Sequence, residues 1–157
     1  MRIGVGFDSH RFGADRPLKL AGVVIPHPSG LLGHSDGDAV AHAVTDAILG
    51  AAGLGDIGAL FPDTDPRWKN ADSMELLADA VARVRAAGRR VGNVDVTIIA
   101  ESPRIGPHVT AMRTGLGAAL GIGPDDVSIK GKTAEGMGAL GRGEGLAVQA
   151  VALLLPV

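Results

Sequence analysis

The chain has 157 residues, 46% of them hydrophobic, and a formal net charge of −2. A chain of this size can bury one core, so we expect a single domain over residues 1–157. The balanced charge and the scarcity of aromatic residues (three Phe, one Trp, no Tyr) argue against a nucleic-acid partner. Its apolar runs are too short to cross a bilayer and it shows no secretory pattern, so we expect a cytoplasmic protein without a membrane partner.

The first third of the chain predicts two strands and a helix. Residues 1–7 are apolar and partly β-branched, and residues 17–26 alternate well enough to form a second strand that pairs with the first. Apolar residues then recur at helical spacing, which predicts a helix that begins near residue 37 or 38 and ends at Gly53. Ser35 or Asp36 can cap this helix.

The rest of the chain predicts two more helices and three more strands. In chain order they are a helix over 72–88, a strand over 93–102, a helix over 107–120, and strands over 125–130 and 145–155. The last strand is nearly all apolar, which indicates a central place in its sheet. These elements predict an α+β fold in which a single mixed sheet packs against about three helices.

A short motif at the end of the first strand poses the first functional question. In GFDSHRF, Asp8 and His10 are two residues apart, so on a strand they point to the same face. The chain has no cysteine, so a metal would have to be held by His, Asp and Glu. The pair is therefore a candidate for two ligands of one metal ion.

The first helix offers a third ligand. His42 lies between Asp38 and Asp46 at four-residue spacing, on a face displaced from the apolar stripe. Two imidazoles and one carboxylate would leave one position open on a tetrahedral zinc ion, which is typical of catalytic sites. Asp46 could accept the other ring N–H of His42 and fix its tautomer. The alternative is that these residues are only surface or capping groups.

Further polar groups flank these residues. His34, Ser35 and Asp36 precede the helix, and Asp56, Asp63 and Asp65 follow it among glycines and prolines. This density indicates a site, although Asp and Ser also cap helices and form turns. Farther along, Lys132 and Thr133 lie in a glycine-rich loop that can hold phosphate.

Taken together, these stretches resemble the 2-C-methyl-D-erythritol 2,4-cyclodiphosphate synthases of the non-mevalonate isoprenoid pathway. The matching segments are GFDSHRF, LLGHSDGDAVAHAVTDAILGAAGLGDIGALFPDTDP, ADSMELL, GNVDVTIIAESPRIGPH and KTAEGMGALGRGEG. The resemblance runs from end to end, and the order of D-x-H, H-S-D-G-D and F-P-D-T-D makes it specific.

The resemblance implies a homotrimeric enzyme with active sites between subunits. Asp8, His10 and His42 would bind one Zn²⁺ per subunit, and Glu135 would ligate a second divalent ion, Mg²⁺ or Mn²⁺. The substrate would be 4-diphosphocytidyl-2-C-methyl-D-erythritol 2-phosphate, and the products would be the 2,4-cyclodiphosphate and CMP. Such an enzyme is a phosphorus-oxygen lyase.

The resemblance also assigns the remaining site residues. His34 and Thr133 would stabilise the transition state, and Asp46 keeps the positioning role described above. The expected substrate contacts are Ser35, Asp56, Gly58, Phe61, Asp63, Asp65, Ala100, Pro103, Arg104, Ile105, Gly106, Lys132 and Arg142. Of these, residues 100–106 would form the cytosine and ribose pocket. Lys132 and Ala139 depart from the family's usual residues, and Lys132 would add a phosphate contact.

Two other interpretations share the same ligand set. Two His and one carboxylate also form the facial triad of non-haem iron oxygenases, but that class takes its ligands from strands of a double-stranded β-helix. A metal-stabilised trimeric scaffold without catalysis is the other alternative, and it predicts that no nucleotide binds.

Overall fold

A five-stranded sheet forms the centre of the molecule in the computed structural model, which describes residues 1–157. Its strand order is β4-β1-β7-β5-β6, and only β5 and β6 are parallel. The strands are β1 (Arg2–Gly13), β4 (Gly30–Leu31), β5 (Arg89–Ile99), β6 (Val127–Lys132) and β7 (Gly145–Pro156). The predicted central position of the last, mostly apolar strand is confirmed.

The N-terminal region differs from the prediction. The first strand continues past Phe7 to Gly13, because its partner β7 is equally long. The stretch expected to pair with it instead folds on itself as a separate hairpin, β2 (Leu18–Leu20) and β3 (Val23–Ile25). The chain reverses between these strands at Ala21 and Gly22, which have positive φ angles of 52° and 76°. A turn so tight pairs the two halves of the segment with each other.

Three long helices and two single-turn helices complete the fold. They are α1 (Ala39–Ala52), α2 (Ile57–Leu60), α3 (Ser73–Ala86), α4 (Val109–Leu120) and α5 (Gly138–Gly141). The three long helices are those that the sequence predicts. Asp38, not Ser35 or Asp36, caps α1, and Gly53 ends it in the left-handed conformation. None of the helices is long and apolar enough to be a candidate membrane span.

The two faces of β1 have different surroundings. Gly4 and Gly6 are buried against α1, and Asp8 and His10 follow on the same side, half-buried. The opposite face carries Ile3, Val5 and Phe7, which remain 69%, 59% and 60% exposed. The helices therefore cover one face of this part of the sheet and leave an apolar face open.

Candidate active site

The Asp8 and His10 pair lies on a well-paired strand. Asp8 is opposite Val148 and His10 is opposite Leu146 in the antiparallel register with the central strand β7. His10 Nε2 lies 2.9 Å from Asp8 Oδ2. The prediction that the two side chains project to one side is confirmed.

Helix α1 brings His42 to this pair. Its Nδ1 lies 2.9 Å from Asp8 Oδ2 and 3.3 Å from His10 Nε2. One ligand atom from each of the three residues lies within 4.8 Å of the other two, and the chain has no second group of three such residues. The fold thus brings Asp8 and His10 together with His42, which is more than 30 residues away in the sequence.

The short distance between β1 and α1 depends on glycine. A Cβ atom at Gly6 would lie 1.9 Å from the Ala43 carbonyl oxygen, and one at Gly4 would lie 2.0 Å from that of Ala47. No side chain fits in this space, so the two glycines allow the helix backbone to approach the strand directly. This approach places His42 within reach of Asp8.

The start of α1 is held by a buried carboxylate. Asp38 Oδ1 accepts hydrogen bonds from the N–H groups of Val40, Ala41 and Ala21, at 3.1, 3.0 and 2.9 Å. Its Oδ2 accepts from the Gly22 N–H at 2.7 Å. Asp38 therefore attaches the turn of the β2–β3 hairpin to the first turn of the helix that carries His42.

The ring orientation of His10 suits metal binding. Its Nδ1 lies 2.5 Å from the Leu32 carbonyl oxygen, and a carbonyl can only accept, so Nδ1 carries a proton. Nε2 is then free to present its lone pair beside Asp8 and His42. Two imidazole nitrogens and a carboxylate oxygen that converge in this way match the donors that Zn²⁺ prefers.

The charges of these groups support one another. Burial raises the pKa of Asp8, but the hydrogen bonds and charge interactions with His10 and His42 outweigh it and hold this pKa well below its usual range. Where Nε2 also carries a proton, its hydrogen bond to Asp8 raises the pKa of His10 against the opposing effect of burial, and a bound ion would take the place of that proton. Asp8 is therefore an ionised acceptor, as a metal ligand must be.

A cavity of about 360 Å³ opens beside the three residues. Five of the predicted site residues line it together with Asp8, His10 and His42: His34, Ser35, Gly58, Phe61 and Asp63. Its other lining residues are Ile57, Pro62, Trp68 and Leu76, which sequence reasoning missed because apolar residues in such segments are indistinguishable from core. The cavity therefore combines the three candidate ligands with an apolar wall.

Asp56 and Asp65 do not line this cavity, although both were expected to contact the substrate. Asp56 Oδ1 accepts from the Ala59 N–H at 2.8 Å and caps α2. Asp65 accepts from the backbone and guanidinium of Arg67. Both side chains therefore act as caps, and their contact with the substrate stays a prediction.

A second cavity, of about 430 Å³, is lined by seven more of the predicted site residues and two others. It is lined by Ala100, Glu101, Pro103, Arg104, Ile105, Gly106, Gly131, Lys132 and Thr133. The segment 100–106 and the Lys132–Thr133 loop lie side by side, because β5 and β6 are parallel neighbours and end at the same edge. The two cavities share no lining residue.

Glu135 and Arg142 lie outside both cavities. Glu135 accepts a hydrogen bond from Thr133 Oγ1 at 2.8 Å, in a backbone conformation with φ of 52°. Arg142 forms an ion pair with Glu144, with 2.7 Å between Nε and Oε1. Within one chain, neither residue meets the first cavity.

The predicted hydrogen bond between His42 and Asp46 is absent. Asp46 Oδ1 instead accepts from the Ile57 N–H at 2.8 Å. His42 Nε2 faces two hydroxyls, Ser35 Oγ at 3.0 Å and Ser73 Oγ at 2.9 Å. Sequence reasoning assigned Asp46 because it is one turn away on the same helix, whereas the actual partners come from other segments.

Comparison with known proteins bears on this arrangement. A sequence model of the YgbB family matches residues 1–155. A curated relative from Gemmatimonas aurantiaca, named 2-C-methyl-D-erythritol 2,4-cyclodiphosphate synthase, is 56% identical over 157 residues, which are 100% of this chain and 95% of the relative. A relative of the same name from Escherichia coli is 59% identical over 155 residues, covering 99% of this chain and 98% of the relative.

Solved structures agree with these relatives. A 2C-methyl-D-erythritol-2,4-cyclodiphosphate synthase in a CDP-bound form has a TM-score of 0.90 and 44% identity, over 98% of this chain and 100% of that chain. The bifunctional IspDF from Campylobacter jejuni has a TM-score of 0.96 and 47% identity over 99% of this chain, which spans only 42% of that longer chain. The resemblance seen in the sequence is confirmed, and the chain belongs to the YgbB family.

Proposed function

We propose that this chain is a 2-C-methyl-D-erythritol 2,4-cyclodiphosphate synthase of isoprenoid precursor biosynthesis. It would convert 4-diphosphocytidyl-2-C-methyl-D-erythritol 2-phosphate to the 2,4-cyclodiphosphate and release CMP. The observation that carries the proposal is the convergence of Asp8, His10 and His42 at one cavity. Relatives of that name match the chain along almost its whole length.

The reaction is an intramolecular phosphoryl transfer. An oxygen of the substrate's 2-phosphate bonds to the β-phosphorus of its diphosphate. The bond from this phosphorus to the bridging oxygen breaks, and CMP leaves with the electron pair. Because no side chain has to form a covalent bond, the protein contributes mainly by positioning groups and by compensating charge. We classify the activity as that of a phosphorus-oxygen lyase.

The first cavity would hold the reacting phosphates and the methylerythritol. A divalent ion held by Asp8, His10 and His42, which we assign as zinc, would act as a Lewis acid toward a phosphoryl oxygen. His34 would compensate charge that develops during transfer, and Asp63 would accept hydrogen bonds from the sugar hydroxyls. The apolar wall suits the methyl-bearing carbon chain.

The second cavity would hold the cytidine portion. Backbone groups of residues 100–106 would contact the base and ribose, while Lys132 and Thr133 would bind the phosphates by charge and by a hydroxyl hydrogen bond. Glu135 follows directly and would hold a second divalent ion, Mg²⁺ or Mn²⁺. A single carboxylate suits such an ion, because Mg²⁺ takes its other ligands from water and substrate phosphates.

A complete site would need more than one chain. The cavity with the metal ligands and the cavity for the cytidine share no residue, yet both must contact one diphosphate. The open apolar face of β1 with Ile3, Val5 and Phe7 supports burial against other copies. We therefore propose a homotrimer of single-domain chains, residues 1–157, that acts in the cytoplasm, with each site between two subunits.

The two alternative functions have less support. An iron oxygenase would take its ligands from strands of a β-helix, whereas His42 lies on α1 beside a five-stranded sheet. A non-catalytic scaffold would have no use for the second cavity. The names of the relatives also favour the synthase.

Phosphorus NMR tests the proposal directly. Purified protein with the proposed substrate and Mg²⁺ should give CMP and a cyclic diphosphate, and a zinc chelator should suppress both. Substrate that stays intact with both metals present would refute the synthase function. Unchanged turnover in chelator would refute the role of Asp8, His10 and His42.

A further inference from the structure

The distal nitrogen of His42 belongs to a hydrogen-bond chain that the sequence does not reveal. Nε2 lies 2.9 Å from Ser73 Oγ and 3.0 Å from Ser35 Oγ. Both serines are buried, at 0% and 7% exposure. Ser73 is the first residue of α3, so a helix distant in sequence contacts the ring. The Ser73 hydroxyl therefore has no bulk water as its alternative partner.

The Asp36 carboxylate fixes the direction of the two hydrogen bonds that Ser73 makes. Ser73 Oγ donates to Asp36 Oδ1, and a carboxylate can only accept. The single proton of the Ser73 hydroxyl is thereby used. The contact between Ser73 Oγ and His42 Nε2 must then have its proton on Nε2. The opposite tautomer would place two lone pairs against each other in a buried space.

The Asp36 carboxylate is held in turn by a lysine. Lys19 Nζ lies 2.8 Å from Asp36 Oδ2 and 2.8 Å from Asp72 Oδ2, with its side chain only 19% exposed. The backbone N–H groups of Ser73 and Asp38 also donate to Asp36. Asp36 is therefore held as an ionised acceptor for the Ser73 hydroxyl.

We propose that Ser73, oriented by Asp36 and Lys19, is a positioning residue that holds the proton of His42 on Nε2 and aims Nδ1 at the metal. The inference rests on the proposed metal site and adds residues to it. Nδ1 is the nitrogen that faces Asp8 and His10, so this tautomer is the one that can ligate. His10 reaches the equivalent state through the Leu32 carbonyl, whereas His42 depends on side chains.

The test is zinc affinity, measured by competition with a chromophoric chelator without substrate. Loss of an outer partner of a ligating histidine weakens metal binding about 10- to 100-fold. Because Ser35 Oγ can still accept from Nε2, we expect the Kd of Ser73→Ala for zinc to rise by about 10-fold, and that of the Ser35→Ala, Ser73→Ala double variant by about 100-fold. Ser128→Ala, at an exposed serine of β6, is the matched control and should bind like the wild type.

A second variant and a second measurement keep the inference testable if Ser73→Ala does not fold. If Ser73→Ala does not fold by circular dichroism, Asp36→Ala gives the same test, because it removes the group that orients the Ser73 hydroxyl. In addition, ¹⁵N NMR of the zinc-loaded wild type should show a protonated Nε2 and a metal-bound Nδ1 at His42.

The outcomes separate this inference from the proposed function. Wild-type zinc affinity in folded Ser73→Ala, or a proton on Nδ1 in the zinc-loaded wild type, would overturn the positioning role alone. A wild-type protein that binds no zinc would overturn the metal site and this inference together.

Discussion

Gly6 lets α1, which carries His42, pack directly against β1, and Gly6→Ala is therefore the most informative single change. The new Cβ would lie 1.9 Å from the Ala43 carbonyl oxygen and 2.8 Å from the Ala47 nitrogen. Both are backbone atoms of α1, so no side-chain rotation can relieve the overlap. The helix must move away from β1 and take His42 with it.

The size of the movement follows from the contact distances. Ordinary contact for a Cβ begins at 3.4 Å, so a separation of 1.9 Å requires the helix to retreat by about 1.5 Å. Metal sites tolerate only about 0.2 Å in ligand distance, and misplacement of about 1 Å can cost about 100-fold in turnover. Overpacking by one methyl group typically costs about 1–3 kcal/mol of unfolding free energy.

The assays are thermal unfolding, zinc binding and turnover. We expect Gly6→Ala to lower the melting temperature by roughly 2–12 °C, at about 2–4 °C per kcal/mol for a chain of this size. Zinc affinity should fall and turnover should drop by about 100-fold. Gly50→Ala is the matched control, because Gly50 lies in the same helix with open space around it. That change should stabilise the protein by about 0.5–1 kcal/mol.

Wild-type stability and zinc affinity in Gly6→Ala would refute the reasoning. They would mean that the strand and the helix do not require their close approach. A loss of stability with unchanged zinc affinity would show that the approach matters for packing but does not set the ligand geometry.

Three further predictions concern single side chains. His42→Ala should abolish turnover while the circular dichroism spectrum stays that of the folded protein, and near-normal turnover would remove the metal from the mechanism. Asp38→Ala removes the cap of α1 and leaves the buried Ala21 N–H without an acceptor, so it should cost about 2–4 kcal/mol in chemical denaturation, since a helix cap is worth about 1 and an orphaned buried group about 1–3. Burial raises the pKa of Asp36, but hydrogen bonds from Lys19 and Ser73 outweigh it and lower this pKa. A carboxylate of lowered pKa stabilises the fold above its unfolded value of about 3.9 and loses that contribution as the pH falls through its folded value. Asp36→Asn should therefore lose less unfolding free energy than the wild type on acidification below about pH 4, and parallel titration curves would contradict this.

The long elements could be predicted because their signals are local. Helices α1, α3 and α4 follow apolar periodicity, α1 and α4 end at glycines, and β7 is mostly apolar. The pairing of residues 17–26 could not be predicted in this way. Whether that segment extends along the first strand or turns back on itself depends on which partner is near, and alternation is the same in both cases.

The site residues also differ in whether a local signal in the sequence could predict their role. The spacing of Asp8 and His10 on a strand indicated a shared face, and a resemblance spread over the whole chain indicated the family and the remaining candidates. Asp56 and Asp65 cap short helical turns, and the sequence could not separate this role from the expected substrate contact, because an acidic residue before a helix satisfies either role by the same pattern. Their substrate contacts stay a prediction.

The sequence by itself determined the long helices, the central strand, the two candidate ligands on β1 and the likeness to a family, because each of these depends on neighbouring residues or on ordered motifs. Only the tertiary structure decided how β1 and α1 approach through Gly4 and Gly6, and which groups meet His42 Nε2. Asp46 is one turn away from His42, but Ser35 and Ser73 are the residues in contact. Contacts between distant segments depend on how close their backbones come, and spacing along one helix carries no information about that.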